Sequence, residues 1–244
     1  MEPQKFQKLI NIAEEKMIAC KDPIHDIGHA KRVVAHANVL SKDLNFNSFD
    51  HQVLILSSWW HDASRSISGK SSLVWMTCFD DILSAFMMLW TSIKYNIFSK
   101  VVLKSFLMLV CKNIGTGTLF TKIFIRKKDR LLLNAIHDAD NLDVIYLERV
   151  KTIYKMVDSS KTYYYAYKIT IQWYLRSKDL YMKTDAARIY VEKMIKKFIE
   201  WLKDKSVMYW HKKIFGWKWV EKNLAGIEKL HSKIILKNLQ TQIS

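Results

Sequence analysis

The scarcity of turn-forming residues limits what this chain can fold into more than any other feature. It has only six glycines and two prolines in 244 residues. All-β folds depend on many turns rich in these residues, whereas helices joined by short connections do not. Half of the residues are hydrophobic, which is enough for a substantial core. The sequence therefore predicts a globular all-α protein.

The spacing of apolar residues and caps places the individual helices. Residues 3–19 repeat apolar positions at helical spacing. After a break at Pro23, Asp22-Pro23 or the following Asp26 can start a second helix. Ser48 and Asp50 are suitable caps for a third. We expect loops at 64–72 and 113–118, and further helices at 73–98, 99–113, 131–154, 160–176, 184–205 and 216–240. Residues 119–127 are partly strand-like in composition, and both assignments stay open there.

Composition and charge suggest two parts, a helical core over residues 1–155 and a basic, aromatic-rich helical extension over 156–244. The net charge of +16 indicates anionic partners such as phosphates, nucleic acid or an acidic membrane surface. A lysine-rich proteome would produce the same charge. The tyrosines and tryptophans of the extension could stack on nucleic-acid bases, but aromatic residues at helical spacing more often belong to a core.

We expect a cytoplasmic protein without a transmembrane span. The first twenty residues mix charged and apolar positions and so do not resemble a signal peptide. The most apolar segment, 73–93, is interrupted by Asp80 and Asp81, which favours a buried helix. The three cysteines form no CxxC pair, which indicates a reducing compartment and no thiolate metal site.

A histidine and an aspartate, His61-Asp62, directly follow the apolar run 53–60. Burying such a pair is costly unless it is hydrogen-bonded or bound to a cation. Two other histidine–aspartate pairs, at residues 25–26 and 137–138, lie in polar stretches of helical character. The central pair is therefore the first candidate for a functional site.

The residues around the two outer pairs strengthen this expectation. His25 and His29 are four residues apart, and Asp140 and Asp143 are three apart, so each couple can share a helix face. Three helices could then bring imidazoles and carboxylates to one point. Neutral imidazole nitrogens combined with carboxylate oxygens suit Zn²⁺, Mn²⁺, Fe²⁺, Co²⁺ or Ni²⁺ better than Ca²⁺.

Three motifs in this order, HDxGHxxRV at 25–33, HD at 61–62 and DADxLD at 138–143, resemble those of the HD-domain metal-dependent phosphohydrolases. The resemblance covers roughly residues 20–150 and includes the apolar run before the central pair. It implies that residues 1–155 form an HD-domain-like helical bundle. It also implies hydrolysis of a phosphate ester or anhydride, with a nucleotide as the expected substrate.

The resemblance further implies the roles of individual residues. One divalent metal ion is expected (Mn, Fe, Co, Ni, Zn or Mg), and its ligands are expected to be His29, His61, Asp62 and Asp140. His25 is expected to lie behind the ligands or to face the substrate. Asp143 and Asp26 are expected to orient the ligands from outside.

Catalysis also requires a basic group that neutralises charge on the phosphate. Arg65, three residues after Asp62, is the first candidate, with Arg32 and Lys31 behind it. A solvated loop position is an equally open interpretation for Arg65. With these additions, the catalytic candidates are Asp62, Arg65, His25 and Arg32.

The chain departs from the family pattern between its second and third motifs. Residues 63–110 contain no histidine, which argues against a second metal and leaves the general base open. Asp80 or Asp81 could supply that base, although a solvent-facing position at a helix end is the plainer expectation. The apolar stretch 73–110 could form a lid or an interface, but core packing is the commoner use of such a stretch.

A second hypothesis comes from another class of function. An HD-like domain without catalysis could use its basic, aromatic C-terminal half to bind RNA or another anionic surface. The presence of all four expected ligands argues against it, because nothing else in the sequence obliges Asp140 to accompany His61.

Overall fold

Helices supply all of the regular structure that is described for this protein. The computed structural model describes residues 1–67, 79–112, 117–176 and 182–243, and these ranges contain twelve α-helices and no strand. The helices are α1 (Pro3–Ala19), α2 (Ile27–Asp43), α3 (Ser48–Trp60), α4 (Asp80–Lys94), α5 (Lys100–Lys112), α6 (Gly117–Phe124), α7 (Arg130–Val144), α8 (Leu147–Met156), α9 (Lys161–Arg176), α10 (Asp185–Leu202), α11 (Lys205–Phe215) and α12 (Trp217–Ile243). The prediction of an all-α fold is confirmed.

Several boundaries differ from those predicted. The cap of α3 is Asn47, whose side chain accepts a hydrogen bond from the Asp50 N–H at 2.9 Å, so the prediction of Ser48 and Asp50 as caps was wrong. Residues 119–124, where both assignments were open, belong to helix α6. Residues 68–78 and 113–116, which include most of both expected loops, lie outside the described residues.

The predicted helix at 131–154 is two helices, and α11 was not predicted at all. The side chain of Asp204 caps α11 by accepting hydrogen bonds from two backbone N–H groups. Gly216, with φ of 85°, ends it, because glycine adopts this backbone conformation without a steric penalty.

Contacts between helices divide the chain into two compact units, Met1–Asp143 and Val144–Ser244. The division falls at the end of α7, earlier in the chain than the boundary after residue 155 that composition suggested. All residues predicted for the site belong to the first unit.

Helix α3 lies at the centre of the first unit. It packs against α1, α2, α4 and α5, and every residue of the run 53–60 is buried. His61 is the C-terminal cap of α3, and its backbone N–H donates to the carbonyl of Ser57 at 3.0 Å. The apolar run therefore places the His61-Asp62 pair inside the protein.

Six aromatic side chains of the second unit pack around one buried histidine. The cluster surrounds the buried His211 and includes Tyr154, Tyr167, Trp201, Trp210, Phe215 and Trp219. This is the core arrangement that helical spacing favours. Tyr165, Tyr209 and Trp217 are exposed, and the side chain of Trp173 lies outside the described residues.

No helix among the described residues combines the length and the apolar character needed to cross a membrane.

Candidate metal centre

Three helices bring the four predicted ligands together. His29 lies in the first turn of α2, which begins where the Asp26 carboxylate accepts a hydrogen bond from the His29 N–H at 2.9 Å. His61 and Asp62 directly follow α3, and Asp140 lies on α7. His29 and His61 are almost completely buried, whereas the Asp140 side chain is 24% exposed. The cluster is thus an interior site with one accessible carboxylate.

The distances between the ligand atoms fit a metal ion. The Nε2 atoms of His29 and His61 are 3.0 Å apart, and Asp62 Oδ2 lies 3.3 Å and 3.4 Å from them. Asp140 Oδ1 lies 3.6 Å from His29 Nε2 and 3.7 Å from His61 Nε2. An ion held at about 2.0–2.2 Å separates neighbouring ligand atoms by about 3.0–3.4 Å. Among the described residues, His29, His61 and Asp140 each offer one ligand atom within 4.8 Å of the other two and could hold one ion, and Asp62 lies beside the two histidines.

The hydrogen bonds on the far side of each imidazole show which nitrogens face the cluster. His29 Nδ1 lies 2.6 Å from Asp143 Oδ2, and His61 Nδ1 lies 2.8 Å from the carbonyl oxygen of Ser58. Both partners accept hydrogen bonds, so both Nδ1 atoms carry protons and the Nε2 atoms of the neutral rings carry lone pairs. Two lone pairs 3.0 Å apart repel each other unless a cation lies between them. This contact is the strongest structural indication of a cation site.

A proton can supply that positive charge in the absence of metal. Burial lowers the pKa of His61, but the carboxylates of Asp62 and Asp140 outweigh burial and raise the pKa to about 9. The same carboxylates that would bind a metal therefore also favour a proton. Either cation relieves the contact between the two imidazoles.

Among the described residues, carboxyl groups outnumber cationic side chains around the cluster. Six carboxylates are linked to the two histidines or to the cationic side chains of the network: Asp22, Asp62, Asp80, Asp81, Asp140 and Asp143. Three cationic side chains oppose them: Arg32, Arg65 and Lys112. Burial raises the pKa of Asp80 to about 7 and also raises that of Asp81, so these two carboxyl groups contribute less negative charge than the count of side chains suggests.

Arg65 is enclosed by carboxylates. Its Nη1 lies 3.3 Å from Asp22 Oδ2, its Nη2 donates to Asp80, and its Nε lies 3.4 Å from Asp62 Oδ1. Only 4% of the residue is exposed, so the interpretation as a solvated loop residue was wrong. The expectation that Asp80 or Asp81 faces solvent was also wrong, because Arg65 and Lys112 neutralise them inside the unit.

Lys112, at the end of α5, was missed by the sequence analysis. Its ammonium lies 2.9 Å from Asp140 Oδ2 and 3.0 Å from Asp81 Oδ1. Burial would lower the pKa of Lys112, but Asp140 and Asp81 outweigh it and hold that pKa above its usual value. Burial would raise the pKa of Asp140, but Lys112 and the two histidines hold it below its usual value. The only signal in the sequence was a lysine that directly follows the apolar run 106–111.

Asp22 was also missed, and it changes the interpretation of His25. Asp22 Oδ2 lies 3.2 Å from His25 Nδ1, and the backbone N–H of Ile24 donates to Asp22 Oδ1 at 3.0 Å. Burial would raise the pKa of Asp22, but His25 and this backbone hydrogen bond hold it below its usual value. The rings of His25 and His29 meet edge to face at 5.5 Å. A carboxylate-oriented histidine therefore lies directly beside the predicted ligands.

Arg32 and Asp143 form a pair behind His29. Arg32 Nε lies 2.5 Å from Asp143 Oδ1 and Nη2 lies 3.2 Å from Oδ2. A side chain at Gly28 would approach the Arg32 guanidinium to 3.1 Å, so glycine leaves room for it. The other basic candidate, Lys31, is exposed and pairs with Glu14 at 2.8 Å, so it is not part of the cluster.

A scan against protein-family models, a search of curated proteins and a search of solved structures each returned no match for this chain.

Proposed function

We propose that this protein is a metal-dependent phosphohydrolase of the HD-domain type, which cleaves a phosphate ester or anhydride of a nucleotide or a related small molecule. The observation that carries the proposal is the pair of imidazole lone pairs, 3.0 Å apart, flanked by the carboxylates of Asp62 and Asp140. The order of the three sequence motifs supports the same class of enzyme.

The four ligands are His29, His61, Asp62 and Asp140. Two imidazole nitrogens with two carboxylate oxygens favour Mn, Fe, Co, Ni or Zn over ions that prefer oxygen alone, such as Ca²⁺. A divalent metal at such a centre lowers the pKa of bound water and polarises a phosphoryl oxygen. Asp143 and the Ser58 carbonyl fix the two imidazoles in the tautomer that presents Nε2 to the ion.

His25 is the proposed proton-transfer residue. Asp22 holds His25 Nδ1, which turns Nε2 of the neutral ring into the proton acceptor. The His25 side chain is 16% exposed and lies against His29, so it borders both the ligands and solvent. It is a better candidate than Asp80 and Asp81, which are tied to buried cations.

Arg32 is the proposed contact for the phosphate, and Arg65 is a positioning residue. The Arg32 side chain is 28% exposed while it bonds to Asp143, whereas that of Arg65 is 4% exposed among three carboxylates. A guanidinium must reach the substrate to stabilise charge on the phosphate. Arg65 instead holds the oxygen of Asp62 that does not face the histidines.

Metal analysis combined with hydrolysis assays tests the proposal. The purified protein is loaded with Mn²⁺, Co²⁺, Ni²⁺, Zn²⁺ or Mg²⁺ and assayed with nucleoside mono-, di- and triphosphates and with p-nitrophenyl phosphate. We expect turnover that is lost, together with bound metal, in Asp140→Asn. The matched control Asp129→Asn breaks an ion pair with Lys104 away from the cluster and should keep both metal and activity.

Two results would contradict the proposal. Full metal content in Asp140→Asn would exclude Asp140 as a ligand. A metal-loaded wild-type protein that hydrolyses none of these compounds, but binds RNA with a steep dependence on salt, would favour the non-catalytic module instead.

A further inference from the structure

Helix α4 buries mainly small and polar side chains and exposes large apolar ones, which is the reverse of an ordinary amphipathic helix. The residues that it buries are mostly small or polar: Asp80, Asp81, Ser84, Ala85, Met88, Thr91 and Ser92. Its large apolar side chains point outward, together with Phe79, which precedes the helix: Phe79, Leu83, Phe86, Trp90 and Ile93, which are 60%, 44%, 56%, 70% and 54% exposed. These residues recur at alternating spacings of four and three and therefore form one stripe. The side chains of this stripe are therefore not part of the core of the first unit.

Helices α5 and α6 add to the exposed apolar surface. The ring of Phe86 meets that of Phe106 on α5 edge to face at 5.2 Å, and the neighbouring Leu103 is 46% exposed. Helix α6 packs on α5 and exposes three more large apolar side chains: Leu119, Ile123 and Phe124. We call the exposed apolar residues of 79–124 the apolar surface. Groups of exposed large apolar side chains mark interaction sites.

The charges that accompany the apolar surface are all positive. From residue 79 to residue 128 the only acidic residues are Asp80 and Asp81. Both are buried and paired with Arg65 and Lys112. The exposed ionisable side chains in this range are basic: Lys94, Lys100, Lys122, Arg126, Lys127 and Lys128. The segment therefore combines aromatic and aliphatic side chains with cations and exposes no carboxylate.

We propose that the apolar surface docks on an anionic lipid membrane. Tryptophan, phenylalanine and leucine side chains insert at the boundary between headgroups and acyl chains, and lysines beside them attract acidic headgroups. A second copy of the chain would bring the same positive charges together, which opposes association. The net charge of +16 acts in the same direction as the local charge. This proposal does not depend on the hydrolase activity.

Vesicle flotation with the full-length protein tests the membrane proposal. The probes are vesicles of phosphatidylcholine alone and of phosphatidylcholine mixed with phosphatidylserine. We expect binding to the mixed vesicles only, weakening as NaCl rises from about 0.1 M to about 0.5 M because salt screens the lysines.

A negative charge placed within the stripe should strongly weaken the binding. Trp90→Glu should lower vesicle binding by about tenfold or more, because it removes an inserted ring and repels the acidic headgroups. The matched control Trp217→Glu changes an aromatic residue of the second unit that is 51% exposed and should leave binding intact. Circular dichroism and thermal unfolding check that both variants are folded. The triple variant Arg126→Ser/Lys127→Ser/Lys128→Ser tests the charges separately and should also weaken binding.

Three outcomes would overturn the proposal. The first is equal binding to neutral and acidic vesicles, or none to either. The second is unchanged vesicle binding in both Trp90→Glu and the triple variant. The third is a lipid-free dimer that Trp90→Glu dissociates, without vesicle binding, which would identify a second copy as the occupant.

Discussion

Two buried histidines, one in each unit, show how the surroundings of an imidazole decide its use. His61 and His211 are both only 2% exposed. Each has Nδ1 close to a backbone carbonyl of its own helical turn, at 2.8 Å from Ser58 for His61 and at 2.7 Å from Val207 for His211. Their Nε2 atoms therefore both present a lone pair in the neutral ring. Burial and tautomer do not distinguish the two residues.

The partners of Nε2 do distinguish them. His211 Nε2 lies 2.7 Å from the hydroxyl of Tyr167, which can donate to it, within a cluster of aromatic rings. His61 Nε2 faces a second imidazole at 3.0 Å and two carboxylates. Burial lowers the pKa of His211, whereas the carboxylates raise that of His61 despite burial. One histidine is satisfied as a neutral core residue, and the other requires a cation.

The largest expected effect comes from replacing each of the two histidines with glutamine and comparing the variants. His61→Gln should lose bound metal, with affinity falling by more than about a hundredfold, because a ligand is removed. His211→Gln should keep full metal content and lose about 1–3 kcal/mol of unfolding free energy, since the hydrogen bond between Tyr167 and His211 is lost. Elemental analysis and chemical denaturation measure both effects. Loss of metal in both variants would show that metal binding does not distinguish His61 from His211.

The cations of the two units should also differ in importance. Lys112→Met leaves Asp81 and Asp140 without their buried partner, and we expect the metal-free protein to lose about 3–5 kcal/mol of stability. Lys212→Met removes an ammonium that lies 3.6 Å from the centre of the Trp217 ring, which should cost about 1 kcal/mol or less. Denaturant unfolding in the presence of a chelator compares the two variants. Equal losses would show that Lys112 does not neutralise the buried carboxylates.

A smaller effect is expected from the residue that orients His29. Asp143→Asn keeps the shape of the side chain but weakens the hydrogen bonds to His29 Nδ1 and to Arg32. We expect metal affinity to fall by about 10–100-fold. Competition with a chromophoric chelator measures this, with Asp129→Asn as the control that leaves affinity unchanged. An unaltered affinity in Asp143→Asn would mean that the tautomer of His29 does not depend on this carboxylate.

The sequence alone was sufficient to predict those features of the first unit that depend on residues close together in the chain. Asp26 was one of two candidates for the start of α2, because a cap lies next to the helix that it begins. The four predicted ligands, which lie close together in the structure, were taken from the resemblance to the HD-domain family, whose motifs each lie within a short stretch of sequence. The apolar run before His61 correctly indicated that this pair is buried.

Residues whose roles depend on distant partners could not be found in the same way. Asp22 and Lys112 matter because Arg65, Asp140 and Asp81 lie beside them in space, and no local pattern specifies those neighbours. The same reason explains the error on Asp80 and Asp81, which resemble an exposed acidic helix start. Their burial depends on cations contributed by other elements.

The smallest effect concerns the pH dependence of the metal-free protein, where the two histidines should act with opposite sign. The raised pKa of His61 means that its proton stabilises the folded state below about pH 6.5 and that this contribution is lost as the pH rises towards 9. The lowered pKa of His211 means that its contribution is present above about pH 6.5 and is lost as the pH falls. Each slope is at most about 1.4 kcal/mol per pH unit, or about 2–4 °C in the unfolding midpoint for each kcal/mol. Thermal unfolding in chelator should therefore show that His61→Gln flattens the alkaline side of the profile and His211→Gln flattens the acidic side.

Divalent metal should reverse the alkaline loss in the wild-type protein, because the ion replaces the proton on His61 and binds more tightly as that proton leaves. A wild-type profile that metal shifts equally at all pH values would show that no proton competes with the ion at this centre.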